Sequence, residues 1–123
     1  FLSKDDLSDV QVTRQRDRVR IRYEHTHMEA RPLTAPVRDQ QLSAAYVVWD
    51  PGRVESEVQV RSHAGEEFIY VLEGAVEVTV REQTVLLREG DSLHYKANLP
   101  HRIVNRFAEP CRAILVLTPV FGF

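Results

Sequence analysis

His63 and Glu67 stand four residues apart, and His101 follows Pro100 further along the chain. Two imidazoles and a carboxylate are the donors that hold Fe, Mn, Ni, Co or Zn as divalent ions, and no thiolate stands among them to select zinc. The even separation of His63 and Glu67 puts both side chains on one face of an extended strand. A helix would also align residues four apart, so spacing alone is ambiguous. Gly65 between them, and the run Phe68-Ile69-Tyr70-Val71 after them, favour a turn leading into a strand. Pro100 fixes the backbone just ahead of His101. Converging inside a small barrel, the three would form a two-His-one-carboxylate metal site with open positions. The alternative is a pocket without metal, in which these side chains satisfy one another by hydrogen bonds.

Other residues are candidates for a ligand rather than a metal. By alternation Arg61 shares the face of His63. It either points into the barrel and takes an anionic ligand bidentately, or lies at the rim against solvent or Glu57. Tyr46, Tyr95 and Asn105 are read as polar groups lining the pocket, Asn105 having the parity of His101. Tyr70 has the opposite parity to Glu67 and is expected to face outward, into a partner subunit or a second layer. His25 and His27 fall in a polar segment and are read as surface residues, and His94 as packed or exposed. Cys111, the single cysteine, lies apart from these groups and has no partner for an intrachain disulfide, which favours a reducing compartment.

The elements that must position these groups read as strands throughout. Val19 to Tyr23 alternates apolar and basic residues, predicting a half-buried strand with its arginines in water. Those arginines are read as a charged edge that resists aggregation rather than as a phosphate-binding patch. Residues 31–40 contain Pro32 and Pro36 and predict a loop. Further strands are expected over 44–49, 57–61, 67–72, 76–80, 84–87, 92–95, 101–105 and 113–117. Asp50-Pro51-Gly52, Glu73-Gly74 and Glu89-Gly90-Asp91 supply turns. Strands at this spacing, with no long helical period, predict an all-β sandwich or barrel. Residues 1–15 are read as a linker or N-terminal arm and residues 16–123 as the barrel domain. The apolar end Val120-Phe121-Gly122-Phe123 is expected to pack on the barrel or across a dimer interface.

A chain of 123 residues with 43% hydrophobic content suits one domain with one core. The net charge of −2 gives no overall attraction to nucleic acid. Runs such as Ala113 to Leu117 are far too short to span a bilayer, and no basic stretch precedes an apolar one as in a secretion signal. A cytoplasmic location without membrane partners is therefore expected. The chain opens Phe1-Leu2-Ser3 with no initiator Met, which fits a domain cut from a longer polypeptide.

Two segments resemble the paired motifs of the cupin superfamily: His63-Ala64-Gly65-Glu66-Glu67 through Glu73-Gly74, and Gly90-Asp91-Ser92 through Pro100-His101 to Asn105. The resemblance implies a double-stranded β-helix, or jelly-roll barrel, with a metal near one mouth held by His63, Glu67 and His101, and a homodimer. Two departures stand out. Arg61 occupies the place of the first histidine of the family's His-x-His, and Lys96 and Asn98 occupy the places of its Pro-x-Gly. The segments Gly65 to Phe68, Tyr70 to Gly74, Leu99 to His101 and Thr118-Pro119 resemble more narrowly the cupin domains of bacterial helix-turn-helix regulators. That resemblance implies a small-molecule-sensing domain whose DNA contact belongs to a helix-turn-helix domain absent from this chain. The same layout occurs in a non-haem iron epoxidase, so a mononuclear metal enzyme of dioxygenase or epoxidase type stands as the alternative. A plain barrel without ligand is disfavoured, because polar groups at interior parity would go unpaired.

Overall fold

Period-two burial organises the chain into strands. In the computed structural model, which describes residues 7–119, inward and outward positions alternate along the central strands. β1 (Ile21–Tyr23), β2 (Met28–Pro32), β3 (Ser43–Trp49), β4 (Glu66–Glu73) and β5 (Ala75–Val80) are followed by β6 (Gln83–Arg88), β7 (Ser92–Lys96), β8 (His101–Val104) and β9 (Cys111–Thr118). The described residues contain no α-helix, only short 3-10 turns at Gln15–Asp17, Glu24–Thr26 and Glu55–Glu57. The strands form two antiparallel sheets, one of six strands ordered β1-β2-β3-β9-β4-β7 and one of three ordered β6-β5-β8. The non-consecutive neighbours β3, β9 and β4 are the crossovers of the expected jelly roll.

The core lies between the sheets. β3 contributes Ala45, Val47 and Trp49, β4 contributes Ile69 and Val71, β5 contributes Val76 and Val78, and β9 contributes Ala113 and Leu115, all buried. Each large side chain of this kind, taken out of water, contributes about 2 kcal/mol, which is why register here is tightly specified. Gly65 and Gly74 serve close approaches. At Gly65 (φ +94°) a Cβ would sit 1.5 Å from the Thr118 carbonyl oxygen, and at Gly74 (φ +86°) 2.6 Å from that of Pro110. Only glycine lets those backbones meet.

The structure departs from the expected strands in three places. The first strand begins at Ile21 rather than Val19, because its pairing with β2 runs only from Ile21 opposite Ala30 to Tyr23 opposite Met28. Arg31 and Pro32, expected in a loop, close β2 opposite Tyr46 and Ala45; a terminal position suits a residue lacking an N–H. Residues 57–61 form no strand. The Glu57 carboxylate accepts the Val54 N–H at 3.0 Å and tightens a 3-10 turn, and only Arg61 makes a bridge, to His101. The C-terminal apolar run Val120-Phe121-Gly122-Phe123 lies outside the described residues, as does most of the expected arm's first half. No helix among the described residues is long and apolar enough to cross a membrane.

Candidate metal centre

Three backbone arrangements bring the donors together. Glu67 is the second residue of β4, buried at 6% exposure, and pairs in register with Tyr95 on β7 and Leu117 on β9. His63 sits in the turn before β4, where its N–H donates to the Ala97 carbonyl at 2.9 Å and the Ala97 N–H returns to Gly65 at 2.9 Å. His101 opens β8 and exchanges two backbone hydrogen bonds of 2.8 Å with Arg61. The six-stranded sheet thus supplies the carboxylate, the three-stranded sheet one imidazole, and the segment joining β3 to β4 the other.

The His63 Nε2 lies 2.9 Å from Glu67 Oε1 and the His101 Nε2 lies 3.6 Å from Glu67 Oε2. The rings of His63 and His101 stand edge to face, 5.1 Å apart at 82°. The donor atoms of His63, Glu67 and His101 all fall within 4.8 Å of one another, and this is the one such cluster among the described residues. Both remaining ring nitrogens face backbone carbonyls, His101 Nδ1 toward Leu99 at 2.8 Å and His63 Nδ1 toward Ala64 at 3.2 Å. In the neutral Nδ1–H tautomer each Nε2 turns a lone pair toward the carboxylate, and on protonation His101 instead donates to Glu67. Two lone pairs facing a carboxylate repel unless a proton or a cation lies between them, so the donor set fits a divalent ion. Tyr95, itself buried, donates its hydroxyl to Glu67 Oε2 and fixes the carboxylate from behind.

The electrostatics follow. Burial would raise the Glu67 carboxyl, but hydrogen bonds from His101 and Tyr95 and the nearby imidazoles outweigh it and hold its pKa below the usual value. Burial would lower His101, yet Glu67 and the Leu99 carbonyl raise it overall, with Arg61 working against them. Burial first, and then the Glu67 charge, push the Tyr95 phenol up, so it stays a donor. Burial also pushes the Cys111 thiol up to about 12, so it offers no thiolate.

The triad opens on a cavity of about 370 Å³. Its walls are largely apolar, with Met28, Trp49, Val58, Ile103, Leu115 and Leu117, and polar groups come from Tyr23, Thr26, Gln59, Arg61 and Arg102. Of the residues singled out from sequence, His63, Glu67, His101 and Arg61 meet at this cavity. Glu57, the alternative contact for Arg61, is engaged by Arg53 instead.

Two expected pocket residues are placed elsewhere. Tyr46 is on the outer face of β3, where its ring lies 5.2 Å from the Arg31 guanidinium and its hydroxyl accepts from Arg112. The inward positions of β3 are 43, 45, 47 and 49, so Tyr46 has the wrong parity. Asn105 lies beyond the end of β8, where strand parity no longer holds. Its amide donates to the carbonyls of Trp49 at 3.2 Å and Glu109 at 2.8 Å, and its oxygen accepts from Phe107 at 3.0 Å. Tyr70 is exposed, as expected, and His94 pairs with Glu66 on the surface at 2.7 Å. His25 and His27 stand apart from the cluster, the latter in a left-handed turn 3.8 Å from Asp50. The walls formed by Tyr23, Thr26 and Met28 were not legible as site residues. No motif marks them, and only the 3-10 turn after β1 brings them over the cavity.

A cupin domain model matches residues 45–117. A search of curated protein sequences finds no match. Among solved structures, the hydroxypropylphosphonic acid epoxidase from S. wedmorenis is similar over 92% of this chain at 21% identity and a TM-score of 0.74. The match covers 61% of the epoxidase, so this chain spans about three-fifths of that protein's length. An RmlC-like cupin from Shewanella frigidimarina is similar at 18% identity and TM-score 0.71, over 90% of this chain and 92% of that one. The cupin domain of an XRE-family transcriptional regulator from Enterobacter cloacae is similar at 15% identity and TM-score 0.66, over 77% of this chain and 99% of that one. With the jelly-roll strand order and the family model spanning more than half of its residues, the chain belongs to the cupin domain family.

Proposed function

We propose that this domain binds a small organic molecule beside a divalent ion held by His63, Glu67 and His101, and that it is the effector-sensing part of a transcriptional regulator. The observation that carries the reading is the convergence of three metal-type donors on one side of a cavity whose other walls are mostly apolar. When bound, an ion of the Fe, Mn, Ni, Co or Zn type supplies a Lewis-acidic centre for ligand oxygens. The chain's own groups do the positioning. The Leu99 and Ala64 carbonyls orient the imidazoles, and Tyr95 holds the carboxylate. Trp49, Leu115 and Leu117 keep water from the inner wall.

Ligand entry would bias one of two arrangements of the domain or of a dimer. The likeness to nearly the whole of a regulator's cupin domain supports this reading. DNA contact would fall to a separate helix-turn-helix domain, because the described residues hold no recognition helix. A homodimer belongs to the same proposal, since the outer face of β4 exposes Phe68, Tyr70 and Leu72 side by side. So does a cytoplasmic location, where a DNA-bound regulator works.

The experiment is to load the purified protein with each candidate metal, dialyse it and measure retained metal and thermal stability with small acids. Retention of about one equivalent, with acids raising Tm only in the loaded form, is the expected result. Failure of every metal to be retained would remove the metal from the proposal.

A second reading is a mononuclear metal enzyme. It is favoured by the two-His-one-carboxylate donor set and by the fold shared with an epoxidase over most of this chain. Oxygen consumption by Fe(II)-loaded protein with small acids supports it, and none with any of them removes it.

A further inference from the structure

Several arginines of this domain are committed to carboxylates, among them Arg102, which lines the cavity together with Arg61. Arg22 pairs with Asp50 and Glu24, Arg53 with Glu57, Arg106 with Glu55 and Glu77, and Arg102 stands 3.6 Å from Glu55. Arg61 differs. It lines the cavity, yet among the described residues no carboxylate lies within ion-pair distance of its guanidinium. Its backbone is tied to His101 by two hydrogen bonds of 2.8 Å, which roots this exposed side chain beside the donor triad. Its charge is felt at two points of the wall: burial raises the Tyr23 phenol and Arg61 pulls it back, and Arg61 likewise opposes the rise at His101.

The charges around the cavity do not cancel. A divalent ion brings two positive charges, Glu67 removes one, and Arg61 adds another. Among the described residues no other acidic group lines the cavity. A surplus of positive charge at one edge, facing walls of Met28, Trp49, Ile103 and Leu115, is complementary to an acid with an apolar body. At about 30 Å³ per water-sized unit, the cavity admits a molecule on the order of ten non-hydrogen atoms.

We propose that Arg61 is the specificity-determining residue of this cavity, its guanidinium taking the carboxylate or phosphonate head of a small apolar acid whose tail lies against Met28, Trp49, Ile103 and Leu115. The planar fork of arginine suits both head groups and binds either through paired hydrogen bonds. A neutral analogue of the same length fills the apolar part and leaves the guanidinium unmatched. The inference rests on the ligand-binding reading above and adds the chemical class of the ligand.

The test is calorimetric titration of the metal-loaded full chain with hexanoate, hexylphosphonate and hexanol, in wild type, Arg61→Lys and Arg61→Gln, with metal content measured for each. An acid is expected to bind more tightly than hexanol by about tenfold or more, the scale of a charge-assisted hydrogen bond. Arg61→Gln is expected to remove that advantage without changing hexanol binding or metal content, and Arg61→Lys to keep part of it. The ratio of hexanoate to hexylphosphonate affinity identifies the head group. Hexanol binding as tightly as both acids, acid binding unchanged in Arg61→Gln, no binding of any of the three, or loss of metal from the Arg61 variants would each overturn the assignment. Arg61-dependent acid binding by a chain that retains no metal would uphold it while removing the metal from the proposed function.

Discussion

Two buried polar side chains, Glu67 on β4 and Asn105 just past the end of β8, are satisfied in different ways. Asn105, 2% exposed, spends its amide on three backbone groups of Trp49, Glu109 and Phe107. Those partners are fixed, neutral and complete, so the group acts as a pin for the loop after β8. Glu67, 6% exposed, is met instead by two imidazoles and a phenol, each able to exchange a proton or donate a lone pair. The Glu67 cluster borders a cavity, and Asn105 does not. Burial of a polar group therefore says little by itself; what its partners can give up separates a structural contact from a reactive one.

The comparison is broken most directly by removing a donor. His101→Ala is expected to weaken metal retention by about a hundredfold or more, measured by competition with a chelator, since outer partners alone cost ten to a hundredfold. Asn105→Ala is expected to leave metal retention unchanged and to lower stability by about 2–3 kcal/mol in denaturant unfolding, because it orphans buried backbone groups. If Asn105→Ala loses metal while keeping its stability, the distinction between the two groups fails. Tyr95→Phe sits between these cases. It frees Glu67 Oε2, and metal affinity is expected to fall about tenfold with a changed visible spectrum of the cobalt-loaded protein.

The pH dependence sharpens the contrast further. In the metal-free protein, the raised His101 pKa contributes stability fully below its usual 6.5, and this is lost as pH rises through the raised value. The lowered Glu67 pKa contributes above its usual 4.5 and is lost as pH falls through the lowered value. Metal binding displaces the His101 proton, so the stabilisation by metal is expected to grow as pH rises through the raised His101 value. Calorimetry with and without chelator reads this slope; the Asn105→Ala deficit should show none. The smallest effect concerns the rim. Arg22 holds the Asp50 carboxyl below its usual range, burial opposing, so Asp50→Asn should cost less than about 1 kcal/mol near neutrality. That cost should vanish as pH falls through the lowered Asp50 value, again by calorimetry.

How much was legible from sequence follows the same division. His63, Glu67 and His101 could be read because a glycine, a proline and even spacing leave few ways to place them. Arg61 could be put on their face but not into the cavity, since its ion pairing depends on which arginine reaches Glu57. Tyr46 was misplaced because both faces of Ala44-Ala45-Tyr46-Val47-Val48 are apolar, so the pattern does not reveal which is inward. Asn105 was misplaced because β8 ends at Val104, and one residue past a strand its alternation carries no direction. The sequence marks Tyr95 as a polar pocket group, but its contact with Glu67 arises from cross-strand register, which local sequence does not encode. The wall at Tyr23 to Met28 depends on a single 3-10 turn in a polar segment, and composition there predicts only surface.

The near-contact of Gly65 with the Thr118 carbonyl has a mechanical meaning. The loop carrying His63 rests on the last residue of β9 with no side chain between them to yield. The placement of the imidazole therefore depends on where that strand ends. Any side chain added at residue 65 would part the His63 loop from the end of β9 and disturb the donor set from behind.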